Sequence, residues 1–287
     1  MSVKQRTLKS EFSLNGKGLH TGKQVTATFK PAEENFGYRI RRMDLEGTPE
    51  IPALAEYVKL MDRASCLEKD GVCVFTMEHA MAALYGSGID NCLIELSGEE
   101  FPILDGSAKY YVEEIEKVGF EEQKADRRYF TVKEQMEFCS EDGQTKITLL
   151  PDTDYNINLV VAYDSPYLQM QYATYSEQVT DFAKEIAPCR TFVFLRELEM
   201  LLQHNLIKGG DLDNAIVIVD REISQEEVNR LAKLFNHDSI EVKQGILNNL
   251  DLYFDNEPAR HKLLDVIGDL SLCGRFIKGR VIAERPG

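Results

Sequence analysis

The chain has 287 residues, 43% of them hydrophobic, enough to bury one large core or two ordinary ones. Its net charge of −15, from 33 basic and 48 acidic residues, excludes a general nucleic-acid binder, whose phosphate contacts need a basic surface. A small anionic substrate held by a few local cations stays allowed. The N-terminal residues lack the apolar core of a signal peptide, and no apolar run reaches membrane-span length, so any membrane contact is transient. Six scattered cysteines without CxxC spacing fit reduced thiols in a cytoplasmic protein.

In chain order, Thr7 to Leu14 and Val25 to Phe29 alternate as strands about the glycine-spaced turn Gly16 to Gly22. His20 in that turn is either a ligand or an exposed hairpin-tip histidine. Tyr38 to Arg42 is a short strand. Thr76 is placed as the N-cap of a helix that carries Glu78 in its first turn and stops at Gly86 and Gly88. A strand from Asp90 to Leu96 follows, then a loop with Pro102, Asp105 and Gly106, then a helix from Ser107 to Val118. The charged run Glu121 to Arg128 reads as a solvated loop joining two domains, 1–124 and 125–287.

The second half repeats the grammar. Phe130 to Phe138, Lys146 to Leu150, Tyr155 to Tyr163 and Met170 to Tyr175 read as strands, and Asp181 to Glu185 as a short helix. Arg190 to Phe194 is extended, Leu195 to His204 helical, and Asn214 to Asp220 a strand after the Gly209-Gly210 turn. Ser224 to Phe235 opens with a capping-box-like SQEE. Glu257 to Leu270 is an amphipathic helix with Leu263, Val266, Ile267 and Leu270 as its apolar stripe, and Phe276 to Ala283 is the last strand. Each half thus holds a helix with an early histidine, a glycine-bearing stop and a strand. The fold class expected is α+β: two similar domains, each a sheet with helices on one face, the helices packed together between two outer sheets.

His261 and Asp265, four apart, project from one side of their helix, and Asp269 continues the row. If the two helices face each other, His79 joins them as a His₂Asp set, three N and O ligands of the kind that hold catalytic zinc and leave one position open. Glu78 is then placed to act as general base. Pattern alone favours the plainer reading: the row as the wet face of a surface helix, His79 as a core histidine satisfied by a carbonyl, and Glu78 as a helix-dipole partner.

Six ordered motifs bear on that choice: GKGLHTG at 16–22, TMEHAMAALYGSGIDN at 76–91, FPILDGSA at 101–108, CRTFVF at 189–194, GGDLDNAIV at 209–217 and RHKLLDVIGDL at 260–270. Together they resemble the UDP-3-O-acyl-N-acetylglucosamine deacetylases, the zinc amidohydrolases of bacterial lipid A synthesis, over nearly the whole chain. The resemblance implies hydrolysis of the N-acetyl group of a UDP-linked 3-O-acylglucosamine to a free amine and acetate. It implies His79, His261 and Asp265 as ligands to zinc, or to iron, which accepts the same set. It implies Glu78 as base, Thr191 as donor to the oxyanion, Phe192 packed on the sugar, and Lys262 facing the charged part of the substrate. Leu19, His20 and Gly210 fall in substrate-facing motifs. The acyl chain is expected in a passage built on an insertion at about 192–220, with Leu198, Leu202, Ile207, Ala215 and Val217 as wall candidates; ordinary core packing is the competing reading of each.

The family carries a further catalytic histidine in a glycine-histidine step after its last strand, oriented by a carboxylate that matches Asp269, and this sequence reaches Gly287 without it. The expectation is a piece of a longer protein, of the kind fused to a β-hydroxyacyl-carrier-protein dehydratase, that binds metal and substrate but deacetylates slowly. The alternative is a fragment that binds the nucleotide-sugar lipid without chemistry. A metallopeptidase is disfavoured by the absence of HExxH.

Overall fold

A computed structural model describes residues 2–61, 64–163, 165, 168–203, 208–235, 238–243, 245–247 and 251–286. The first half runs β1 (Lys4–Leu8), β2 (Phe12–Lys17), β3 (Gln24–Pro31), β4 (Tyr38–Arg42), β5 (Glu50–Pro52), a 3₁₀ turn (Ala55–Tyr57), β6 (Val58–Met61), β7 (Ala64–Lys69), β8 (Val72–Phe75), α1 (Glu78–Gly86), β9 (Cys92–Leu96), α2 (Lys109–Val118) and β10 (Phe120–Asp126). The second runs β11 (Tyr129–Thr131), β12 (Met136–Cys139), β13 (Lys146–Leu150), β14 (Tyr155–Val161), β15 (Gln171–Ser176), α3 (Phe182–Glu185), β16 (Phe192–Phe194), α4 (Leu195–Gln203), β17 (Ile216–Ile218), α5 (Gln225–Leu234), β18 (Val242–Lys243), β19 (Ile246–Leu247), α6 (Glu257–Ser271) and β20 (Phe276–Glu284).

The two large sheets follow one plan. Their strand orders are β2-β3-β9-β4-β5 and β12-β13-β20-β14-β15, with β11 added beside β20. In each, the central strand is the one that follows α1 or α6; it lies antiparallel to the second hairpin strand and parallel to the strand after that. In each half a small sheet is inserted between the edge strand and the histidine-bearing helix: β6-β7-β8 before α1 in the first, β16-β17-β19-β18 with α4 and α5 before α6 in the second. The repeat inferred from two histidine-bearing helices is therefore a repeat of whole topology, and the α+β class holds.

Sequence period explains the layers. On β3 Val25, Ala27 and Phe29 are buried, and on β14 so are Tyr155, Ile157, Leu159 and Val161, every second residue facing inward. Every residue of α1 from His79 to Tyr85 is buried. A helix that is apolar all round belongs between other layers, and α1 packs on α6. One apolar cluster runs from Phe29 and Ile94 of the first sheet, through Met81 and Leu84 of α1 and Leu263 and Ile267 of α6, to Ile157 and Val281 of the second. No helix among the described residues is long and apolar enough to cross a membrane.

Four local expectations need correction. Thr7 to Leu14 is not one strand, because β1 pairs with β10 while β2 turns to pair with β3. Residues 121–126 are not a loop; they form most of β10, an antiparallel partner of β1 whose side chains are mostly exposed, which is why charge dominates them. Phe130 to Phe138 splits into β11, parallel to β20, and β12, antiparallel to β13. Thr76 is not an N-cap: Met77 occupies that position without a side-chain bond, and Thr76, at φ +57°, gives its hydroxyl to Glu100 Oε1 at 3.0 Å. Ser224 does cap α5, its hydroxyl accepting from the Glu227 N–H at 3.2 Å. Strands β5 to β8 fall in a region where no element is expected from the pattern.

Candidate metal centre

His79 lies in the first turn of α1, and His261 and Asp265 stand one turn apart on α6. The two helices cross closely enough to bring these three together. His79 Nε2 is 3.8 Å and His261 Nε2 3.4 Å from Asp265 Oδ1, the imidazoles meet edge to face with centroids 5.0 Å apart, and one ligand atom of each residue falls within 4.8 Å of the others.

The protonation pattern follows from the partners. His261 Nδ1 is 3.0 Å from the Cys189 carbonyl oxygen, which only accepts, so Nδ1 carries the proton and Nε2 presents a lone pair. Burial pushes the His261 pKa down to about 4 against the opposing pull of Asp265, and burial lowers that of His79. Burial would raise Asp265, but His261, Lys262 and His79 together outweigh it and hold the carboxyl below its usual value. At neutral pH the set is two neutral imidazoles and one carboxylate, and Asp265 Oδ1 is buried without a hydrogen-bond partner. The His261 Nε2 lone pair and the unpartnered Asp265 Oδ1 thus face the ring of His79, a donor set that fits a divalent cation.

Two more carboxyls share the crossing. Burial, then the charge of Asp265, raises Glu78 to about 7. Asp269 is pushed the same way, to about 7, first by the protein around it and then by Asp265 and Glu78. Its side chain is exposed, however, and solvent works against that push, so Glu78 is the carboxyl whose proton the site controls near neutrality. Burial opposes the Lys262 ammonium, but Asp265, Tyr163 and Asp269 outweigh it and raise its pKa; Nζ lies 3.3 Å from Asp265 Oδ2.

Phe192 stands at the edge of this set, and Thr191 precedes it at the start of β16. The Thr191 N–H donates to the Gly106 carbonyl at 2.7 Å and its carbonyl accepts from the Ile216 N–H at 2.7 Å, which ties the FPILDGSA loop to β17. The Phe192 ring centroid is 6.4 Å from that of His261.

The sequence profile of the family described as LpxC, UDP-3-O-acyl N-acetylglycosamine deacetylase, matches residues 5–238 and 236–287. The chain belongs to this family. It is 54% identical over 286 residues to "Bifunctional enzyme LpxC/FabZ" of Bacteroides thetaiotaomicron, covering 99% of this chain and 62% of that protein. With the bifunctional enzyme of Porphyromonas gingivalis it shares 51% identity at the same coverage, 99% and 62%. It is 40% identical over 286 residues to "UDP-3-O-acyl-N-acetylglucosamine deacetylase" of Myxococcus xanthus, covering 100% of this chain and 83% of that one. The chain thus spans 62% of the length of these bifunctional relatives.

The remaining residues expected from the LpxC motifs fall in three places. Leu19 and His20 sit on the β2–β3 turn: the Leu19 carbonyl accepts from the Gly209 N–H at 3.0 Å, and His20 lies near enough to Glu78 to act on its charge. Gly210, in the adjoining turn, is partly buried. Leu198 and Val217 are buried together in the apolar cluster under α4 and α5, and Ala215 is partly exposed beside it. Leu202 is on α4, and Ile207 lies outside the described residues. Because side chains alternate along β17, Ile216 and Ile218 face the other way, into a cluster with Leu168, Phe194 and Phe192.

Sequence reasoning missed Glu100. Buried to 2% exposure, its Oε1 accepts from the His20 N–H at 2.9 Å and the Thr76 hydroxyl at 3.0 Å, and its Oε2 from the Thr21 N–H at 3.0 Å and hydroxyl at 2.8 Å. It thereby joins the turn bearing His20 to the residue two before Glu78. Nothing in the sequence separates it from its exposed-type neighbour Glu99.

Proposed function

We propose that this chain hydrolyses the N-acetyl group of a UDP-linked 3-O-acyl-N-acetylglucosamine, releasing acetate and the free amine. The observation that carries the reading is the convergence of His79, His261 and Asp265 within 4.8 Å beside Glu78, in a chain of a family named for this activity. A divalent ion, zinc or iron, supplies Lewis acidity there when bound.

The chain's own groups do the rest. Glu78, raised to about 7 in the metal-free protein, takes the proton of the attacking water on its carboxylate and holds it for the next step. Thr191 donates to the amide oxygen as negative charge grows on it. Phe192 packs on the sugar, and Lys262 faces the charged part of the substrate, with Leu19, His20 and Gly210 along its edge. Asp269 orients a further proton-carrying group. An acyl chain runs into the apolar interior around Leu198, Ala215 and Val217. A nucleotide-sugar substrate fits the cytoplasmic location expected from the sequence. The likeness to bifunctional relatives also supports a gene that continues into a β-hydroxyacyl-carrier-protein dehydratase, which reading the gene beyond codon 287 tests.

The test of the reaction is metal content per chain for wild type and His261→Ala, with acetate release from the UDP-linked substrate followed in the same samples. One equivalent of zinc or iron, lost in the variant together with acetate release, is the expected result. Wild-type protein that cannot be loaded with either ion overturns the reading.

A further inference from the structure

Glu257 and His261 are one turn apart on the same face of α6, and Cys189 and Arg190 run beside them just before β16. The two pairs are in register. Where the Cys189 carbonyl meets His261 Nδ1 at 3.0 Å, Arg190 meets Glu257 three times: backbone N–H to Oε1 at 3.0 Å, Nε to Oε1 at 2.8 Å and Nη2 to Oε2 at 3.1 Å. The Tyr253 N–H adds a fourth bond to Oε2 at 2.7 Å, Arg190 Nη2 also donates to the Asp251 carbonyl at 2.7 Å, and the guanidinium lies 4.6 Å from the Tyr253 ring centroid. Glu257 is fully buried and Arg190 is 5% exposed.

A buried ion pair is a poor device for stability alone, because desolvation offsets most of its attraction, but it tolerates only one geometry. Residues on both sides of Arg190 meet His261: the Cys189 carbonyl holds its Nδ1, and the Phe192 ring centroid lies 6.4 Å from that of the imidazole. We propose that the Arg190–Glu257 pair is a positioning device for the metal centre, locking residues 189–191 in register with α6 so that His261 is kept as its Nδ1–H tautomer with Nε2 turned to the ion. This rests on the reading of His261 as a ligand. A plain anchor for the start of α6 would need the pair equally, and would differ only in leaving the imidazole indifferent to its loss.

The experiment uses the full chain with Glu257→Gln and the milder Arg190→Lys, and Arg127→Lys as control in a second largely buried arginine–carboxylate pair, Arg127–Asp90. Ring ¹⁵N spectra of metal-free protein report the His261 tautomer, and chelator competition reports the zinc Kd. The expected result is a mixed tautomer and zinc binding weakened about 10–100-fold in the two site variants, as for partners that orient a ligating histidine, with both readouts unchanged in the control. A wild-type tautomer and wild-type Kd in Arg190→Lys overturn the proposal, whatever happens to the Tm. Wild type that binds no zinc removes the metal reading separately, since the tautomer is read without metal.

Discussion

Gly268 of α6 rests directly on the backbone of Glu78 in α1: a methyl group at Gly268 would stand 3.0 Å from the Glu78 carbonyl carbon and nearer still to its oxygen. Both partners are helical backbone, so neither side can swing away. The crossing that brings His79 to His261 and Asp265 depends on this missing side chain.

Gly268→Ala is therefore expected to cost about 1–3 kcal/mol as an overpacked contact, and to spread the three ligands. Thermal unfolding and bound zinc per chain check it. A variant with wild-type Tm and full zinc would mean that the helices part without penalty.

Glu78→Gln keeps the size of the base and removes its proton chemistry. Zinc content should stay near wild type while turnover falls roughly 10²–10⁴-fold. Equal loss of metal and activity would make Glu78 a structural group instead of the base.

Loading the metal-free protein should expel protons, and the source is specific. A dication favours ionised carboxyls, so it lowers the Glu78 pKa from about 7, while His261, already near 4, and His79, also lowered, have few protons to lose. Release on zinc addition should be largest at about pH 6, where Glu78 is mostly protonated, and fade by about pH 8, where it is already ionised. Calorimetry in buffers of different ionisation enthalpy measures it. Undiminished release in Glu78→Gln would assign the protons to another group.

Glu100→Gln replaces an acceptor of four bonds by a group with one acceptor oxygen and an amide that faces donors. Leaving those groups unmatched should cost about 1–3 kcal/mol. Zinc binding should survive, and KM for the UDP-linked substrate should rise more than kcat falls, because the displaced element is the His20 turn. A wild-type KM would remove Glu100 from substrate positioning.

How much of this was legible depends on where each side chain spends its bonds. His261 and Asp265 could be paired from spacing alone, since four residues on a helix fix a shared face. His79 could be added because its surroundings repeat. Strands such as β4 were readable from alternation, and so was the Ser224 cap, whose bond is local. Thr76 misled because its hydroxyl serves Glu100, a residue 24 positions away. Residues 121–126 misled because an exposed two-stranded ribbon buries no stripe to read. Arg190 and Glu257 carry no local sign of each other across 67 positions; only the fold pairs them.

The shared plan of the two sheets also dictates an order of assembly. β9 and β20 are made after the strands they separate, yet each stands at the centre of its sheet with partners on both sides. Until β20 arrives, β12-β13 and β14-β15 are two unjoined hairpin-like pairs with bare inner edges. The nascent second half is therefore at its most adhesive during the synthesis of α6, and the helix that carries two of the three ligands is also the tether that delivers the closing strand.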